Sequence, residues 1–207
     1  MKQLSLTILI YASLTAMAFG QSNTKTESVL ELQEQQDINR KHFVGSSLFM
    51  LYNFFPDSAD FYQLSYGYHL TQKDIFVVEA ITWKYNEPLG TYGSSEELYP
   101  GKIRSYGIGA AYQRFLWMNL YSTIEATPFL QQYYDTDNKK IQKGFQLYLQ
   151  LVLGYRFEFL KKRLFAEPAI ALKYWPVNTN VPSSFSDIDS GTPQTKVEPS
   201  LNFGYKF

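Results

Sequence analysis

The chain has 207 residues, with 19 Lys and Arg against 19 Asp and Glu, a balance that argues against nucleic acid as a partner. Cysteine is absent, so a disulfide framework, a thiol nucleophile and a lipidated cysteine are all excluded. The informative excess is aromatic: 17 Tyr, 16 Phe and 3 Trp make 17% of the chain, which suits strands and the interfacial girdles of a membrane barrel.

In chain order, Met1-Lys-Gln is a short basic opening to an apolar, uncharged run from Leu4 to Phe19. The run ends in Ala16-Met-Ala-Phe-Gly20, small residues at the spacing of a signal-peptidase site. Residues 1–20 are therefore expected to be a signal peptide that directs export. Residues 21–41 are rich in Glu, Gln, Asn and Lys and are expected to be a flexible periplasmic leader. Beyond the leader no run of about 18 apolar residues remains for a spanning helix.

From residue 42 to 207 the chain divides into eight candidate strands with period-two patterning, bounded by turn residues. The first is expected over His42–Phe55, the second over Phe61–Leu70 and the third, the least regular, over Asp74–Tyr85. The fourth covers Ile103–Leu116, the fifth Asn119–Tyr133 and the sixth, with the strongest alternation, Gly144–Phe159. The seventh covers Arg163–Trp175, and the eighth begins near Val197 and runs to Phe207. Short links at Thr71–Asp74, Trp117–Met118 and Leu160–Lys162 alternate with longer ones at 56–60, 86–102, 134–143 and 176–194. That alternation matches an up-and-down barrel with short turns on its periplasmic side and long loops outside.

Size assigns the faces. Eight strands enclose an interior only wide enough for side chains. The small set Gly45, Ser47, Ser65, Gly67, Gly107, Gly109, Ala111, Ala169, Ala171 and Gly204 therefore points inward, and the bulky Leu, Phe, Tyr and Ile set points out. In water that outer surface would be a very large apolar patch, whereas lipid requires it. The fold class is accordingly all-β, a single eight-stranded antiparallel up-and-down transmembrane β-barrel. Its last strand ends in Leu201-x-Phe203-x-Tyr205-x-Phe207, one outward face closing on an aromatic residue.

Glu79, Glu125, Arg156, Glu167, Lys173, Lys196 and Glu198 share the inward face. Buried charges need partners, so an interior network is expected in which Glu125 and Glu167 pair with Arg156 and Glu198 pairs with Lys173. Such a network plugs the lumen; an ion or proton path is the alternative. Pro128, Pro168 and Pro199 fall inside strands, where proline removes a ladder hydrogen bond.

These residues resemble the small eight-stranded bacterial outer-membrane barrels, of the kind represented by the membrane domain of outer-membrane protein A, over Phe43 to Phe207. The closing Leu201, Phe203, Tyr205 and Phe207 resemble the C-terminal signal that such proteins present to the barrel-assembly machinery. Tyr- and Lys-rich hairpins such as Tyr68–Asp74 are similar to barrels from the Bacteroidota. The resemblance implies a monomer in the bacterial outer membrane whose partners are lipid, lipopolysaccharide and, during insertion, the assembly machinery.

Some barrels of this size modify lipid A, using His with Ser and an acid near the outer leaflet. Here His42 and His69, the chain's two histidines, fall at the periplasmic rim, so no catalytic residue is assigned. Acidic residues in the outer links (Asp57, Asp60, Glu96, Glu97, Asp135, Asp137) lack EF-hand spacing and are expected to be solvated, so neither a metal nor a cofactor is assigned. Tyr85, Tyr92, Tyr99, Tyr133, Tyr134, Trp175 and Phe185 are expected to form an interfacial girdle. The leading expectation for function is a structural or loop-mediated binding role, with residues 86–102 and 176–194 as contact surfaces. A narrow small-solute channel is the alternative, followed by a lipid A-modifying enzyme.

Overall fold

A computed structural model describes residues 40–55, 60–87, 98–189 and 195–207. The chain divides into a unit Met1–Gln35 and a unit Gln36–Phe207. The first unit, with the expected signal peptide and most of the leader, lies outside the described residues, as do Asp57, Tyr92, Glu96 and Glu97.

Nine hydrogen-bonded strands form one antiparallel sheet: β1 (His42–Ser47), β2 (Tyr62–His69), β3 (Asp74–Tyr85), β4 (Lys102–Trp117), β5 (Leu120–Tyr134), β6 (Lys140–Tyr155), β7 (Phe157–Phe159), β8 (Leu164–Thr179) and β9 (Thr195–Lys206). β6 and β7 both pair with β8 and are two parts of one stave, interrupted at Arg156. β1 pairs with β9 from Phe43↔Lys206 to Ser47↔Asn202, which closes a ring of eight staves. Period-two patterning reaches its solution here: every stave shows one face to the lumen and one to the outside. On the outward face Leu64, Ile108, Ile124, Leu130, Ile170 and Val197 are each more than 60% exposed.

The strand expected over His42–Phe55 is corrected. It ends at Ser47, and Leu48–Phe54 winds as a 3-10 segment. The Ser47 hydroxyl caps that segment, accepting from the Phe49 amide at 3.2 Å, and ladder pairing stops there. The segment is tied to the β2 side: Asn53 Nδ2 donates to the Phe61 carbonyl at 2.5 Å, the Phe61 amide donates back to Asn53 Oδ1 at 2.8 Å, and Ser46 Oγ donates to the Gln63 carbonyl at 2.6 Å. Two later strands reach further toward the outer links than the sequence pattern suggests. β6 begins at Lys140 and β8 continues to Thr179, after which the long outer link forms a short helix, α1 (Ser183–Asp189).

The three strand prolines sit where the ladder has nothing to lose. The β4–β5 register lapses between Gly107↔Phe129 and Ala110↔Ala126, at Pro128. The ladder on β8 lapses between Gly154↔Ala169 and Phe157↔Ala166, which places Pro168 opposite Tyr155, within the lapse and next to the interruption at Arg156. Pro199 lies in the outer half of β9, beyond the last pair with β1, where the strand has a ladder only on the β8 side. One of the bulges that do form lies on β8, where Trp175 and Pro176 together oppose Tyr148 of β6.

Candidate functional site

The candidate site is the lumen, and it has three levels. At the short-turn end, Arg156 interrupts the sixth stave and is 1% exposed. Its amide donates to the Asn119 carbonyl at 2.9 Å, and Asn119 Nδ2 donates to the Arg156 carbonyl at 2.7 Å, so the break costs no backbone hydrogen bond. The side chain turns inward. Nε donates to Glu167 Oε1 at 2.6 Å, and Gln113 Nε2 donates to the same oxygen at 3.1 Å. The guanidinium carbon lies 4.3, 5.0 and 5.3 Å from the ring centres of Phe165, Phe115 and Phe43. Three aromatic faces thus take the place of hydrogen-bond acceptors around its terminal nitrogens. Gly67 makes the close packing possible: a Cβ there would overlap the Phe43 ring.

The middle level holds the other charges around a cavity of about 910 Å³. Glu198 bridges two cations, with Lys173 Nζ at 2.6 Å from Oε2 and Lys196 Nζ at 3.0 Å from Oε1. Glu125 accepts from Thr127 Oγ1 at 2.8 Å and from Gln150 Nε2 at 3.0 Å, and the Tyr148 hydroxyl donates to the far side of Gln150 at 2.6 Å. Glu79 accepts from Gln63 Nε2 and, at 3.1 Å, from Ser65 Oγ. Among the described residues neither Glu79 nor Glu125 forms an ion pair within 4.0 Å.

The expected Glu125–Arg156 pair is corrected by the register. Leu120 stands opposite Tyr155, which brings Glu125 opposite Gln150 and leaves Arg156 about six residues, or roughly 20 Å, down the barrel. Glu167 and Arg156 instead face one another across the lapse in the β8 ladder. The interior is also not filled along its whole length, as the expected plug would require.

The outer level is aromatic. Tyr85, Tyr99, Ile103, Tyr133, Trp175 and Phe185 form one buried cluster, so the expectation that these rings form an outward girdle is corrected. Phe185 on α1 is fully buried, with ring centres 5.0 Å from Tyr99 and 5.2 Å from Tyr133. The parity was present in the sequence: Tyr85 shares a face with Glu79, Tyr133 with Gln131 and Trp175 with Lys173. Aromatic type alone pointed the other way. Tyr134 does lie on the other face and donates to Gln132 Oε1 at 2.7 Å.

Asp60, expected to be solvated, is bound instead by Arg104 and by Lys84 at 3.4 Å. Burial pushes its carboxyl up, but the hydrogen bond and charge of Arg104 and the nearby Lys84 outweigh this and hold it below the usual value of 3.8. Asp135 holds its own turn, accepting from the Asp137 and Lys139 amides at 3.0 and 2.8 Å. At the short-turn rim, His42 Nδ1 and the Tyr66 hydroxyl lie 2.6 Å apart, and the His42 ring stacks on Phe207 with centres at 5.8 Å. Among the described residues no group of three or more His, Cys, Asp or Glu side chains could hold a metal ion.

The architecture is that of an all-β ring of eight antiparallel strands. No protein-family model and no curated protein sequence matches the chain. Among solved structures it is similar to the crystal structure of neisserial surface protein A, at 12% identity and a TM-score of 0.45, covering 81% of this chain and 95% of that one. No helix among the described residues is long and apolar enough to cross a membrane, which says nothing of strands.

Proposed function

We propose that this chain is an integral β-barrel of the bacterial outer membrane, monomeric, whose lumen is closed at both ends and serves binding rather than free passage. One observation carries the reading: the large apolar side chains point outward around the ring while Glu79, Glu125, Glu167, Lys173, Lys196 and Glu198 line its interior. That inversion is unfavourable in water and favourable in lipid. The Arg156 box below and the Phe185 cluster above support closure, and the chamber between them supports binding. Leu201, Phe203, Tyr205 and Phe207, all on the outward face and 39–51% exposed, are the stripe we assign to the assembly machinery.

The test is heat-modifiable migration of protein refolded with and without detergent. The expected result is a folded, faster-migrating band in detergent alone; a soluble folded protein without detergent sinks the reading. Phe207→Ala should lower the cellular yield of that band. The channel reading draws on the chamber, and single-channel recordings in planar bilayers decide it. A stable open pore in the unmodified protein, or in Glu125→Gln, would count against closure.

A further inference from the structure

Beside the chamber the strand ladder of the wall is interrupted. β2 pairs with β1 only over its lower half, up to Ser65, and β9 pairs with β1 only up to Asn202. Above that level the 3-10 segment Leu48–Phe54 stands in for a strand. Among the described residues every hydrogen bond that joins the segment and its flanks to the wall goes to the β2 side, through Ser46 and Asn53, and none goes to the outer half of β9. The chamber lining accordingly includes both faces of β9, from the luminal Lys196 and Glu198 to the outward Val197 and Leu201. A cavity can touch both faces of a strand only where that strand has a free edge. Ser200, at this seam, has a buried hydroxyl with no hydrogen-bond partner.

The chemistry facing the seam is selective. Lys173 and Lys196 are both engaged by Glu198, which leaves Glu79 and Glu125 held only by neutral donors. Gly109 stands beside Glu79 in the ladder, and a Cβ there would overlap Thr127 Oγ1 and come within 3.3 Å of Glu125 Oε1, so a glycine is what leaves room for the Thr127–Glu125 hydrogen bond at the level of Glu79. Aromatic rings run over the same space: Phe129 to Tyr148 at 6.3 Å between centres, and Tyr148 to Trp175 at 5.7 Å. Carboxylates below and aromatic faces above suit a positive charge on an apolar body.

The geometry points to a binding site for a lipophilic organic cation, admitted from the surrounding bilayer through the seam between the 3-10 segment and β9 and held between Glu79, Glu125 and the aromatic arc. This inference rests on the membrane-barrel reading above.

The test uses the full barrel in nanodiscs of zwitterionic lipid, with tetraphenylphosphonium as ligand and tetraphenylborate, of the same shape and opposite charge, as control. Two of the chain's 3 tryptophans, Trp83 and Trp175, line the chamber and report occupancy by fluorescence. Saturable quenching by the cation alone is expected, weakened about tenfold by Glu79→Gln or Glu125→Gln. Asn53→Ala, which loosens the 3-10 segment without touching the chamber charges, should speed both association and dissociation several-fold. Equal binding of both ions, or no binding, by protein that still migrates as a heat-modifiable barrel overturns the site and leaves the barrel standing. Unchanged rates in Asn53→Ala overturn the lateral route. Loss of heat-modifiable migration in the unmodified protein would instead defeat the barrel reading itself.

Discussion

Arg156 shows how much one residue can organise in a narrow barrel. It breaks a stave, is compensated by Asn119, neutralises Glu167 and fills the space between three aromatic rings. Removing one partner of a buried ion pair leaves the other unsolvated, so Arg156→Ala should lower stability by about 3–5 kcal/mol, read from the urea midpoint of the folded band. Replacing both partners, as Arg156→Met with Glu167→Met, should cost less than the single change. Asp60 offers a test in pH. Its folded carboxyl lies below 3.8, so its ion pairs contribute stability that is present above the unfolded value and is lost as pH falls through the folded one. Asp60→Asn should lower stability at neutral pH by that contribution and flatten the acid limb, so that variant and parent converge as pH falls below about 4. The inward position of these charges was legible from strand parity, but their pairing was not. Parity says which face a residue takes, whereas pairing depends on register between strands, and nothing local in Glu125 or Arg156 encodes it.

At the scale of elements, the short turns store conformational strain that can be relieved. Leu160, Lys161 and Lys162 have φ of 49°, 56° and 60°, three consecutive left-handed residues with side chains. Lys161→Gly should therefore stabilise the barrel by up to about 1 kcal/mol, seen as a higher urea midpoint. Pro128 gives the opposite kind of test. The ladder already lapses there, so Pro128→Ala should change stability by no more than about 0.5 kcal/mol. The 3-10 segment was hidden in the sequence because Leu48, Met50, Tyr52 and Phe54 keep the alternation of a strand. What ends β1 is the Ser47 cap and the Asn53–Phe61 anchor, contacts between residues that alternation does not describe.

For the whole molecule, closure at two levels predicts a specific pattern of conductance. Phe185→Ala opens the outer level and Arg156→Ala the inner one, and each alone leaves the other in place. Neither single variant should conduct in planar bilayers, while the double variant should show discrete openings. A conducting single variant would mean that only one level closes the barrel. The outer aromatic cluster takes Phe185 from α1, in a link that the sequence presents only as a long polar loop. Phe185 finds its place because Tyr99 and Tyr133 approach it from distant parts of the chain.

By itself the amino-acid sequence determined the number of staves, their order, the side each residue faces and which links are short. All of these follow from period-two alternation and turn chemistry, which act over a few neighbours. Only the tertiary structure decided which charges meet, how the prolines are tolerated, where β1 gives way to a 3-10 segment and that the middle of the lumen holds a chamber. Each of those depends on the relative sliding of strands distant in sequence, and a ring closes with one register among several that the same alternation would permit.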